Sequence, residues 1–491
     1  MKISRVSLLR WLAIAFLSMA VILLVTQLIR YSRIRSGFPP GTLIGGVPVG
    51  GLTQQQAADR IAQAFSIPLE LTYGEDVIQV KPSTLGFELN IDAMIAAADQ
   101  LRVNAPFWSS FWDYLWNRIP TAYETPLVAT VEEKRLRAFL VNEIAPRYDK
   151  SPEPSQPIAG TVNFKIGASG EVLDIDRSII QIETALKSPD QRSVTLAISQ
   201  TEPPRPSMEN LEILLKQILD RSRFDGLTEI YVLDLQNGNE INFAYENDEE
   251  YSPGIAFTAA STIKIPIMIS VFRRLPEPLS QTAADMIQLM IDESRNEPAD
   301  ALMQTYLDVN LGPLLVSDDM EALGYENTFM AGYFAPGEKL KRRYSTPANQ
   351  RADYNTSPDP YDQTTTAEIG NILADIYHCA EKGGGALIAV FPGEITQSEC
   401  QLMITFLARN QVMVLLQSGL PDGTKNAHKQ GYIPDLDGLM RQLIDVLIVY
   451  SPGGNYIVTL AMYQPTQLIY DIANNIAAQI SSAVYNYFNI Q

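Results

Sequence analysis

The sequence predicts an α+β fold: a C-terminal body with an antiparallel sheet packed by terminal helices and split by an inserted helical subdomain, preceded by a transmembrane helix and a repeated α+β module. Three observations carry this expectation. An apolar stretch near the N-terminus is long enough to span a bilayer, two later segments match each other at a fixed spacing, and the C-terminal half reads helix, two strands, helices, several strands, helix. The 491 residues include 37 basic and 56 acidic side chains, a net charge of −19. No nucleic-acid partner is expected, because phosphate-backbone binding needs clustered Lys and Arg. Two cysteines and two histidines supply neither a Cys-based zinc module nor a His-based triad. No metal or other cofactor is therefore expected, and nucleophilic chemistry on this chain needs a base other than His.

Residues 11–29 are apolar except for Ser18, Thr26 and Gln27. At about 1.5 Å per residue such a stretch crosses most of a hydrocarbon core. Lys2, Arg5 and Arg10 precede it and Arg30, Arg33 and Arg35 follow it, so charge does not set its orientation. No small-residue cleavage pattern follows. Residues 1–36 are thus expected to be an uncleaved single-pass anchor, with the body exported to the periplasm or outer face; a buried soluble helix is the alternative.

A Gly-rich run, Gly45-Gly46-Val47-Pro48-Val49-Gly50-Gly51-Leu52, reads as a turn-rich strand. Thr53 then caps a helix, with Gln56 completing a capping box and Ala57, Ile61, Ala64 and Phe65 along its apolar face. Lys81, Gly86, Leu89, Ile91 and Asp92 recur at an offset of 84 as Lys165, Gly170, Leu173, Ile175 and Asp176. Residues 37–205 are therefore expected to form a repeated α+β region. The Gly-rich run and the later Leu85-Gly86-Phe87-Glu88-Leu89-Asn90-Ile91-Asp92 segment resemble the peptidoglycan-binding domain of exported cell-wall proteins, including relatives of the vancomycin-resistance W protein. The resemblance implies a cell-wall glycan partner, with a plain spacer as the alternative. Between the repeats, Trp108, Trp112 and Trp116 share one helical face. Packing between the repeats is the expected use, and a membrane-interface contact the other. The Pro-rich run 201–206 marks a boundary.

In the body, residues 208–491, Leu211, Leu214, Leu215 and Ile218 predict an amphipathic helix. Strands at 229–235 and 240–245 flank Asn237-Gly238, a type I′ hairpin signal. A second hairpin is expected from 446–450 and 456–460, and a final helix from 468 to 488.

Three short motifs follow one another here. In Ser261-Thr262-Ile263-Lys264 the hydroxyl and the amine share a helical face, and a buried lysine can stay neutral and act as the base. In Ser294-Arg295-Asn296 a second hydroxyl can relay a proton, and the amide can hold both lysine and substrate. In Lys429-Gln430-Gly431-Tyr432 a cation can meet a substrate carboxylate, the glycine admits close approach to the strand, and the Tyr432 N–H can complete an oxyanion hole.

The three motifs resemble the S-x-x-K, S-D-N and K-T-G set of penicillin-recognising serine enzymes, and the context of Ser261 resembles class A β-lactamases. Asp362-Gln363-Thr364-Thr365-Thr366 resembles the end of their Ω-loop. The resemblance implies Ser261 as nucleophile, Lys264 as its base, Ser294 as proton relay and Lys429 as carboxylate holder. Asn296, Gln430, Gly431 and Tyr432 would contact substrate, either a β-lactam or a peptidoglycan stem peptide. A D,D-carboxypeptidase and a non-catalytic wall-binding scaffold are the alternatives. Arg295 and Gln430 depart from the pattern, and no E-x-x-L-N supplies the carboxylate that activates the deacylating water in class A enzymes. Asp353 is the nearby carboxylate, with pairing to Arg351 as its other reading. Cys379 and Cys400 would form a disulfide outside the cytoplasm; two buried thiols are the alternative.

Overall fold

The computed structural model describes residues 5–118, 122–409, 414–435 and 437–490, so Lys2 of the N-terminal basic cluster lies outside the described residues. The chain divides into two compact units, residues 1–152 with 169–202, and residues 153–168 with 203–491.

In the first unit, helix α1 (Arg5–Arg35) carries the apolar stretch, and its apolar window is wholly unburied. Helix α2 (Gln54–Ser66) has the expected capping box: the Thr53 N–H donates to Gln56 Oε1 at 3.0 Å, and the Gln56 N–H donates to Thr53 Oγ1 at 3.4 Å. Ala57, Ile61 and Phe65 are buried along it. The segments related by sequence offset both run from a strand into a side-chain-capped helix. Phe87–Leu89 leads through Asn90 into α3 (Ile91–Asn104), and, further along the chain, Gly170–Leu173 leads through Asp174 into another helix, Ile175–Leu186. The likeness is local. Phe87–Leu89 pairs with Ala129–Val131 and Gly170–Leu173 with Ile198–Thr201, while Lys165 falls in the other unit.

Helix α4 (Phe107–Leu115) corrects the expectation for the tryptophans. Phe107, Phe111 and Tyr114 form its inward face and gather around Tyr31 of α1. The face one residue further round is left outside, with Trp108, Trp112 and Trp116 at 71%, 61% and 65% exposure. No packing between repeats uses them.

The helix Ile175–Leu186 is labelled α5, and the main part of the second unit begins with α6 (Met208–Ser222). Its sheet comprises β1 (Leu227–Asp234), β2 (Glu240–Glu246), β3 (Glu249–Tyr251), β4 (Lys425–Pro434), β5 (Met440–Tyr450) and β6 (Tyr456–Tyr463), in the order β3-β2-β1-β6-β5-β4. Every pairing is antiparallel. Between β3 and β4 lie α7 (Lys264–Phe272), α8 (Asn296–Tyr306), α9 (Thr366–Lys382) and α10 (Gln397–Ala408), and α11 (Tyr470–Phe488) ends the chain. One sheet face packs α6 and α11 through Leu211, Leu215, Ile480 and Val484 against Ile230, Val232 and Leu447. The other packs the inserted helices through Ile267, Ile369 and Leu373 against Tyr231, Val446 and Ile448. Covered on both faces, β1 and β6 are buried along their whole length, including the polar Thr228, Glu229, Asp234 and Thr459.

The first hairpin closes differently from its sequence signal. Gly238 is left-handed (φ 76°), but Asn237 is not, and the Gly238 N–H donates to the Asp234 carbonyl at 2.8 Å. The Asp234 carboxylate accepts from the Gln236 N–H and from Asn237 Nδ2, winding the loop into a longer turn than type I′.

Cys379 near the end of α9 is disulfide-bonded to Cys400 in α10, with Cα atoms 5.8 Å apart. The bond ties together two helices of the inserted subdomain. Replacing both cysteines with alanine is expected to cost about 3 kcal/mol by the loop-entropy relation, read as a lower urea midpoint. The denatured, unreduced parent should show no thiol from this pair; two reactive thiols per chain would contradict the bond.

Candidate active site

The nucleophile's turn is built by a small sheet. Phe257–Thr258 pairs with Asp362–Thr364, which also pairs with Phe329–Met330. The chain then enters a 3₁₀ turn, Ala260–Ile263, that runs into α7. In a 3₁₀ turn residues three apart eclipse. Ser261 and Lys264 are so related, and Lys264 Nζ lies 2.9 Å from Ser261 Oγ. All nine residues of α7 are buried, so the lysine stem has no route to water along the helix.

Ala260 is held left-handed (φ 47°), a conformation costing a non-glycine residue about 1–3 kcal/mol. Its N–H donates to Asp362 Oδ1 at 2.6 Å. Asp362 thereby pins the residue that aims Ser261. Sequence reading missed this role, because Asp362 figured only as a loop marker and alanine carries no signal for positive φ.

Lys264 Nζ further meets the Ser294 carbonyl at 2.6 Å, Asn296 Oδ1 at 2.8 Å and Ser294 Oγ at 3.4 Å. Ser294 is also left-handed (φ 55°), and Asn296 opens α8. The Phe334 ring centroid lies 5.2 Å from the same amine. Asp300 of α8 fixes that ring's backbone, accepting from the Phe334 and Ala335 N–H groups at 3.0 and 2.9 Å. Arg295, by contrast, points outward and lies 3.7 Å from Glu297.

From the edge strand β4, Lys429 Nζ reaches Ser294 Oγ at 3.0 Å and the Gln430 carbonyl at 3.0 Å. Lys429 is fully buried, behind Ser294. Gly431 has a specific packing reason: a Cβ there would stand 2.7 Å from the Ala259 carbonyl oxygen and 2.9 Å from the Ser261 nitrogen. The close approach it allows is to the turn carrying Ser261, which brings the backbone before Tyr432 beside the nucleophile's amide. His428 lies off the cleft, fully buried, with Nε2 2.9 Å from Asp445 Oδ1.

A cleft of about 500 Å³ opens over these groups, lined by Ser261, Ser294, Asn296, Phe334, Gln430 and Tyr432 among others. Its wall carries three carboxylates, Glu338, Asp359 and Asp362. Asp353 is not among them. It pairs with Arg351 at 2.9 and 2.5 Å, and that guanidinium holds its carboxyl down at about 2.

Burial sets the electrostatics. It lowers Lys264 to about 8, against the opposing fields of Asp362, Asp300 and Glu297. Burial, and then the Lys264 charge, lower Lys429 to about 7, with Asp445 opposing. Burial raises Asp362 to about 7. Two amines bridged by one hydroxyl thus titrate together near neutrality.

A model of the β-lactamase enzyme family matches residues 210–278 and 270–488. The chain belongs to this family. It is accordingly a serine hydrolase-type enzyme, and its fold is the α+β arrangement expected. No curated protein matches the chain significantly. Among solved structures, similarity extends to a PBP-A variant in an acyl-enzyme complex with penicillin G, at 19% identity over 59% of this chain and 100% of that one, with a TM-score of 0.40. An ancestral class A β-lactamase is similar at 21% identity over 56% and 98% of the two chains, TM-score 0.39. A β-lactamase from Sphaerobacter thermophilus is similar at 16% identity over 58% and 99%, TM-score 0.41.

Two outcomes follow from the geometry. Gly431→Ala forces β4 away from the Ser261 turn and should lower the acylation rate by about 10²–10³, the usual cost of a lost oxyanion donor, while circular dichroism stays native. The acylation rate should also rise with pH through about 8, because the form of Lys264 that accepts the Ser261 proton is the deprotonated one. A flat profile from about pH 6 to about pH 9 would contradict that sign.

Proposed function

We propose that this chain is an exported, membrane-anchored serine hydrolase that opens β-lactam amides through an acyl-serine intermediate. Its organisation is an anchor over residues 1–36, a wall-binding or spacer region over 37–205 and the hydrolase over 208–491. The observation that carries the reading is the 2.9 Å contact between Ser261 Oγ and Lys264 Nζ inside an apolar helix, at the floor of a cleft.

Ser261 attacks the amide carbonyl while neutral Lys264 takes its proton. The oxyanion is received by the Ser261 and Tyr432 N–H groups. Ser294, within reach of both amines, passes a proton to the departing nitrogen and is reprotonated from Lys264. Lys429 acts through Ser294, meeting that hydroxyl at 3.0 Å and holding it toward the departing nitrogen. Asn296 orients Lys264 and the substrate amide.

One observation favours a second reading, a D,D-carboxypeptidase acting on the peptidoglycan stem peptide. Lys264 faces the Phe334 ring, and among the described residues neither amine has a carboxylate within salt-bridge distance. Among the described residues none of the carboxylates on the cleft wall pairs with either amine, and on this reading the β-lactam acyl-enzyme should be long-lived.

Intact-mass measurement after penicillin treatment tests the shared chemistry. The native chain should gain one penicillin mass and Ser261→Ala none; an adduct that survives the substitution would overturn the assignment. Lys264→Met should slow acylation by about 10²–10⁴, the range for loss of a general base. Turnover of a chromogenic cephalosporin supports the first reading. D-Ala release from a stem peptide, with a stable penicillin adduct, supports the second.

A further inference from the structure

The exposed tryptophan face of α4 adjoins the one helix, among the described residues, long and apolar enough to cross a bilayer. We propose that α4 is a membrane-embedded foot: it lies in the lipid interface beside α1 and holds the first unit at a fixed height on the bilayer. The inference rests on the reading that α1 spans the membrane.

Three features place α4 at the lipid boundary. The first is depth. The apolar run of α1 ends at Ile29, whereas α4 touches α1 on both sides of that level. A recess of about 610 Å³ is lined by Leu24 of α1 together with Trp108, Phe111, Trp112 and Leu115 of α4. Above it, Tyr31 meets Phe107, Phe111 and Tyr114 at centroid distances of 5.4, 5.4 and 5.2 Å. Leu24 lies five residues inside the end of the run, roughly 7.5 Å at helical rise. Interfacial helices bury their apolar faces by about 5–10 Å.

The second feature is polar satisfaction. Two polar side chains interrupt the last third of the span, and each needs a partner in hydrocarbon. Thr26 Oγ1 donates to the Ile22 carbonyl at 2.7 Å within its own helix. Gln27 is served by α4, since the Tyr114 hydroxyl donates to Gln27 Oε1 at 3.0 Å. Such a contact is worth most where α4 enters the same low-dielectric layer.

The third is the outward face itself. Trp108, Trp112 and Trp116 expose most of their surface together, and tryptophan is the side chain enriched where one end of a group is apolar and the other wet. The junction is also fixed. Arg35 Nη2 donates to the Ala105 carbonyl and Arg102 Nη1 to the Arg35 carbonyl, both at 2.6 Å, just outside the apolar level. The partner is therefore a phospholipid bilayer.

The test uses the full chain in phospholipid vesicles. The sequence has four tryptophans, so Trp11→Phe leaves only the α4 indoles to report. Their emission should be quenched by lipids brominated near the headgroup end of the acyl chain, more than by lipids brominated near the terminal methyl, and aqueous iodide should have little effect. Iodide-accessible indoles in a chain that resists alkaline carbonate extraction would overturn the foot alone. So would indoles shielded from iodide yet indifferent to bromolipid, the pattern of an α4 contact between two copies. Release of the parent chain itself by carbonate would overturn the spanning reading and this inference with it. The triple variant Trp108→Ala, Trp112→Ala, Trp116→Ala should still resist carbonate, because α1 alone anchors it.

Discussion

A lysine amine removed from water must either find partners for its charge or give up its proton, and the catalytic half of this chain is arranged around the second course at Lys264. Its contacts count out accordingly. A neutral amine has two donors and one lone pair; the Ser294 carbonyl and Asn296 Oδ1 accept the two donors at 2.6 and 2.8 Å, and Ser261 Oγ stands 2.9 Å from what remains. In the deprotonated form of Lys264 the Ser261 hydroxyl would donate to the nitrogen lone pair, which is the direction its activation requires. Phe334 closes a further side with an aromatic face, and the stem is sealed within α7. Lys429 reaches the same Ser294 hydroxyl and is itself lowered, by burial and then by the Lys264 charge.

The rest of the unit serves to hold that arrangement. The six-stranded sheet is covered on both faces, so β4 is fixed at its edge where Lys429 and Gly431 face the Ser261 turn. The three-stranded ladder through Asp362–Thr364 fixes the other side. Strain sits at the two residues that aim the chemistry, Ala260 and Ser294, and the contacts about them maintain it. In the first unit α4 packs its inner aromatic face on α1 and leaves its indoles outward.

Much of this was legible in the residues. Helical periodicity gave α6 and α11, the capping box gave the start of α2, and the order of elements gave a sheet with helices inserted between its halves. The motif spacing brought Ser261, Lys264, Ser294, Asn296 and Lys429 together, as the hydrogen bonds show. What was not legible depended on tertiary contacts. The turn at Asn237-Gly238 is rewound by the Asp234 side chain, which no dipeptide preference encodes. The positive φ of Ala260 comes from the Asp362 contact, a hundred residues downstream. Asp353 was adjacent in sequence to the wrong neighbourhood, and its partner Arg351 keeps it at the surface. Gly431 was read for its substrate, whereas its missing side chain makes room for the backbone of the nucleophile.

The most direct measurement is a titration of the Lys264 amine itself, followed by NMR on protein labelled with ¹³C at the lysine ε-carbons, with Lys264→Arg identifying the resonance. The ε-carbon shift should report deprotonation near pH 8, well under the value of an ordinary lysine. A Lys264 resonance that titrates like surface lysines, above about pH 10, would mean the amine keeps its proton and Ser261 has no base.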